Sequence, residues 1–153
     1  MSNYYFLFGN TPSLSLLELQ SLAPGVIEVV PNLARVSLAN DDQANELFQK
    51  TGGTVKLVKE IGPLADNEED SLALIAAWLN EHKNDSKLTF GLGLLGLDNL
   101  EISETQIKKQ LKKDFDLSSR FIEHVKTGLS ASVLLHQSSV IEIAAVGTAE
   151  GNR

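Results

Sequence analysis

Six basic side chains fall within IKKQLKKDFDLSSRFIEHVKTG, residues 107–128: Lys108, Lys109, Lys112, Lys113, Arg120 and Lys126. Ammonium and guanidinium groups at this density bind anions, and arginine offers a planar fork suited to bidentate phosphate contact. Ser118, Ser119, Ser130 and Ser132 lie close by, and short hydroxyls are common donors to nucleic-acid backbones. The rest of the chain is acidic. Its 153 residues carry 13 Lys+Arg against 20 Asp+Glu, a net charge of -7. Residues 1–106 hold 6 basic and 15 acidic side chains, whereas residues 107–153 hold 7 and 5. The C-terminal third is therefore where an anion can dock.

Other constellations carry less chemistry. GLGLLG, with Gly91, Gly93 and Gly96, spells a dinucleotide fingerprint. Such a fingerprint must follow a strand and open a helix directly, whereas these glycines sit inside an apolar run and the next helix signal is Ser103. They read as strand glycines that let another backbone approach. His82, His124 and His136 have no partner at metal-ligand spacing, and the chain has no cysteine, which excludes thiolate zinc sites, disulfides and a cysteine nucleophile. GLSAS lacks one glycine of a nucleophile elbow. The acids of NEED, Asn67 to Asp70, read as compensation of a helix dipole.

These side chains need elements to position them. A content of 42% hydrophobic and 22% charged residues is that of a folded chain. YYFLFG predicts a strand. SLLE, with Ser15 and Glu18, has the capping-box spacing of a helix start, and Pro24-Gly25 a helix stop. VIEVV and LARVSLA predict two strands around Pro31-Asn32, NDDQANELFQKTGG a helix from Asn40, and TVKLVKEI a half-buried strand. The order is βαββαβ, that of the ferredoxin-like fold. After GPLADNEED, read as a linker, come the helix DSLALIAAWLNEHK, the strand LTFGLGLLGL, the helix SETQIKKQLKKDF and the strands RFIEHV, ASVLLHQ and VIEIAAV. The expected organisation is α+β: a ferredoxin-like domain over residues 1–62, packed with a second α/β domain over 66–149, and a frayed tail at 150–153.

On the basic helix, at about 100° per residue, Ile107, Leu111 and Phe115 cluster within about 80° of arc, and Lys108, Lys109, Lys112 and Lys113 sweep the next half-turn. One face buries and the other presents four ammonium groups. Phe115 and Phe121 are expected in the core, leaving no aromatic stacking platform in the basic segment.

The basic helix followed by SSRFIEHVKTGLSASVLLHQ resembles the C-terminal part of a THUMP domain, and FGLGLLGL is similar to the strand that precedes that helix in the same family. YYFLFGNTPSLSLLELQSL and TGGTVKLVKEI resemble the opening of the THUMP-type tRNA (guanine-N2-)-methyltransferases and their relatives. This resemblance implies a tRNA-binding platform gripping the acceptor end, ahead of or beside a Rossmann-like domain that binds S-adenosylmethionine and methylates a guanine amino group. The resemblance assigns RNA contact to Lys108, Lys109, Lys112, Lys113, Arg120, Lys126, Ser130 and Ser132, with Lys56 and Lys59 as weaker candidates. The Asp/Asn-Pro-Pro-Tyr motif and glycine-rich cofactor loop of the catalytic domain do not occur in these residues. The chain itself is thus expected to hold no catalytic residue, metal or cofactor and to be the RNA-binding half of such an enzyme.

A different class of function stays open: a protein-interaction or assembly module whose lysine face, residues 107–126, meets an acidic partner. A small self-sufficient enzyme would need a deep cleft with converging polar groups. No run approaches the roughly 20 apolar residues of a membrane span, and MSNYYFLFGNTPS has no basic region of the kind that opens a signal peptide. A cytoplasmic location with no membrane partner is expected.

Overall fold

The structure, a computed structural model, describes residues 1–63, 67–83, 88–95, 102–121, 140–148 and 151–152. The protein is α+β and divides into two compact units, formed chiefly by Met1–Gly62 and Pro63–Val146.

In the first unit the order is β1 (Ser2–Phe8), α1 (Pro12–Leu22), β2 (Ile27–Val30), β3 (Leu33–Leu38), α2 (Asp41–Lys50) and β4 (Thr54–Lys59). The strands form one antiparallel sheet in the order β2-β3-β1-β4. Alternation decides what β1 buries. Tyr4, Phe6 and Phe8 share a core with Leu19 of α1, Ala34 and Val36 of β3, and Ala44 and Leu47 of α2. Tyr5, Leu7 and Leu33 point to the other sheet face and are buried as well.

Helix α1 begins earlier than the Ser15/Glu18 spacing predicts. Pro12 opens it after Thr11, with its fixed φ suited to a first turn. Ser15 lies one turn inside, buried, its hydroxyl donating to the Thr11 carbonyl at 3.0 Å. Glu18 does not reach back to cap its own helix. Its carboxylate accepts from the amides of Gly52 and Gly53 at 3.0–3.2 Å, tying α1 to the turn before β4. Helix α2 follows its sequence signals: the Asn40 side chain accepts from the Gln43 amide at 2.9 Å, and Asp41 and Asp42 sit at the positive end of the dipole.

From Pro63 onward the elements are α3 (Glu68–His82), β5 (Leu88–Leu95), α4 (Glu104–Phe115), β6 (Ser119–Phe121), β7 (Val140–Thr148) and β8 (Gly151–Asn152). The sheet order is β6-β5-β7-β8, and β5 pairs in parallel with both β6 and β7. Parallel neighbours need a crossover, and α4 supplies the one from β5 to β6. Leu72, Ile75, Ala76 and Leu79 of α3 share one core with Leu88, Phe90 and Leu92 of β5 and with Ile107 and Leu111 of α4. Both helices therefore cover the same face of the sheet.

Gly91 and Gly93 lie within β5 on the opposite face, opposite Glu142 and Ala144 of β7 in the register. They open no helix, as the strand reading requires. Asn67 caps α3: its side-chain carbonyl accepts from the Asp70 amide at 2.8 Å, and Glu68, Glu69 and Asp70 fill the first turn as dipole compensation. Gly151–Asn152, expected to fray, form β8. The strand expected at ASVLLHQ lies outside the described residues. No helix among the described residues is long and apolar enough to cross a membrane.

Candidate nucleic-acid interface

Helix α4 is held firmly at both ends, which fixes where its lysines point. At the start Ser103 and Gln106 form a reciprocal capping box, and the Gln106 amide group also donates to the Glu68 carboxylate on α3. Ile107 and Leu111 are fully buried. Removing a side chain such as theirs from water contributes roughly 1.5–3 kcal/mol each. At the end Asp116 adopts the left-handed conformation, φ 49°. Its amide donates to the Lys112 carbonyl at 3.1 Å, and the Leu117 amide to the Leu111 carbonyl at 3.3 Å. The bond from the left-handed Asp116 to the Lys112 carbonyl is that of an αL cap, and beyond it Leu117 folds into the core.

That turn corrects one sequence expectation. Phe115 does not complete the buried edge; it is 40% exposed, and Leu117 takes the place in the core instead. Phe121 does turn inward, packed beside the core with its ring 6.3 Å from that of Phe90.

Lys108, Lys109, Lys112 and Lys113 are all solvent-exposed. Lys112 has an acidic partner, the Asp116 carboxylate, at 2.6 Å, and this pair holds the Asp116 carboxyl below the usual carboxylate range. Lys108, Lys109 and Lys113 meet no carboxylate at ion-pair distance among the described residues. Lys112 and Lys113 also stand at the negative end of the helix dipole, which stabilises cations there.

Arg120 does not extend this face. It pairs with Thr89 in the parallel register, between Ser119 and Phe121. Phe121 turns to the helix-covered side, so Arg120, at the alternate position, projects from the opposite face of the sheet and is exposed. Ser118 is exposed, whereas the Ser119 hydroxyl oxygen is buried without a hydrogen-bond partner among the described residues. Lys126, Ser130 and Ser132 lie outside the described residues, as do His124 and His136. His82 stacks on Trp78 with ring centroids 4.1 Å apart, and its Nδ1 lies 2.9 Å from the Trp78 carbonyl oxygen.

In the first unit Lys59 is drawn to Asp41, Nζ to Oδ1 at 2.8 Å, and the buried Tyr4 hydroxyl donates to the same oxygen at 2.5 Å. Lys56 is half-buried on β4. Among the described residues no three His, Cys, Asp or Glu side chains are grouped so as to hold a metal ion.

Phe115 is the surface feature that sequence reasoning missed. The signal was angular: the ring stands about 80° from Ile107 but only about 20° from Lys108. No family model matches the chain, and neither a curated protein nor a solved structure matches it.

Proposed function

We propose that the protein is a tRNA-binding module: a ferredoxin-like domain followed by a THUMP-like domain, which together position tRNA for an S-adenosylmethionine-dependent guanine-N2 methyltransferase domain. The ferredoxin-like assignment is supported by the βαββαβ order with antiparallel strands in the order β2-β3-β1-β4. The observation that carries the RNA reading is the exposed lysine face of α4, on which Lys108, Lys109 and Lys113 have no acidic partner among the described residues. Helix α4 is rigid, capped and packed, so its ammonium groups are held as an array, and an array of cations matches a phosphate backbone. RNA helices hide base identity in a deep, narrow groove, so paired RNA is recognised on this face by shape and phosphate position. Arg120 joins such a surface only from around the β6 edge of the sheet.

The test is Lys108→Glu combined with Lys112→Glu. Both side chains are exposed, so the fold is retained and tRNA retardation at low salt is lost. Unchanged retardation would remove α4 from the interface. A second reading, an assembly module meeting an acidic protein, draws on the Lys112–Asp116 pair, in which the face already holds a carboxylate. It predicts no tRNA retardation by the unmodified protein and capture of a protein partner that the double variant loses.

A further inference from the structure

Beside the lysine face stands an exposed aromatic ring, that of Phe115. It is the last residue of α4, and the left-handed cap at Asp116 sends the chain inward to Leu117 behind it, so no further helical turn covers the ring. At about 100° per residue the ring lies roughly 20° from Lys108 and 60° from Lys112 around the helix, and Lys112 is one turn away along the axis. Acids scarcely interrupt this stretch. Asp116 is tied to Lys112, the Asp114 carboxylate accepts from Gln110 at 2.6 Å, and Glu104 lies about three turns off at the other end.

We infer that Phe115 is a stacking platform for an unpaired base, so that this surface takes single-stranded RNA in preference to fully paired RNA. The inference rests on the reading of α4 as an RNA-binding face. The charge on the helix selects a polyanion, and a polyanion whose bases are free can place one on the phenyl ring while ammonium groups hold the flanking phosphates. Base–aromatic stacking is tolerant of sequence because every base has a π-face. A base inside a duplex presents no face to a side chain, so Phe115 adds nothing to duplex binding.

The experiment uses the full chain with a single-stranded RNA of about ten nucleotides carrying one 2-aminopurine, and a duplex of the same length. Phe115→Leu should weaken single-strand binding about tenfold, abolish the quenching of 2-aminopurine that stacking produces, and leave duplex affinity and the salt slope unchanged. Phe115→Tyr should retain both binding and quenching. Lys109→Gln should weaken both RNAs and lower the salt slope. Equal effects of Phe115→Leu on the two RNAs, or no effect on either while Lys109→Gln still acts, overturns the stacking role alone. No effect of Lys109→Gln on either RNA overturns the lysine-face reading, and the stacking role with it. Thermal unfolding followed by Trp78, the single tryptophan, separates lost binding from lost fold.

Discussion

One carboxylate oxygen of Asp41, at the start of α2, serves two donors from β1 and β4, the Tyr4 hydroxyl and the Lys59 ammonium. The hydrogen bond from Lys59, then that from Tyr4, holds the Asp41 carboxyl below its ordinary range. A depressed carboxyl stabilises the fold above the unfolded group's titration near pH 4, and that contribution is lost as pH falls through the lowered value. Tyr4 and Lys59 behave in the opposite sense. Both are raised, each first by its hydrogen bond to Asp41, so their contributions are complete below about pH 10 and lost as pH rises further. Asp41→Asn is therefore expected to flatten the pH profile of thermal stability at both ends, most clearly at low ionic strength because the pair is exposed. Identical profiles for variant and parent would show that the cluster contributes nothing to folding. Part of the alkaline limb should survive, since burial and the hydrogen bond to Glu60 raise Tyr5 independently.

At the scale of elements, the first unit is stitched where α1 passes the turn before β4. A Cβ on Gly53 would come within 2.0 Å of the Ser15 hydroxyl oxygen and 2.8 Å of the Ser15 Cβ. The hydroxyl can rotate away but the Cβ cannot. Gly53→Ala is expected to destabilise the protein by about 2–3 kcal/mol, measured by chemical denaturation; a loss below about 0.5 kcal/mol would mean that α1 shifts freely. Local spacing could not show this stitch. SLLE spells a capping box, but Glu18 finds its partners 34 and 35 residues away, and only the tertiary fold brings them together. What depended on neighbours in sequence was legible: the Asn40 and Ser103 starts, the α3 stripe through Leu72 and Leu79, and the lysine face of α4. The exposure of Phe115 was not, because the helix stops at a left-handed aspartate, where the usual signal is glycine. Nor was the turning away of Arg120, which follows from its parallel pairing with Thr89.

For the whole molecule, the separation of charge sets how an anion is held. A chain of net charge -7 repels RNA nearly everywhere else, so binding must come through a few local phosphate contacts. Four lysines correspond to a slope of roughly -3 in log K against log salt, or about a fiftyfold loss of tRNA affinity between 50 and 200 mM salt. A salt-independent affinity would exclude the lysine array as its source. Strand order along the chain was readable in the first unit, but the sheet connectivity of the second was not: nothing in LTFGLGLL announces that β5 has parallel neighbours on both sides. The position of β1 has a consequence for biosynthesis. It is made before the rest of its sheet, yet it is an interior strand whose second edge is closed only when Tyr4 meets Lys59. At 5–20 residues per second, YYFLF waits about 3–10 s for that partner, an uncharged, proline-free strand on a nascent chain. In that interval the protein is most open to chaperone capture and to edge-to-edge aggregation.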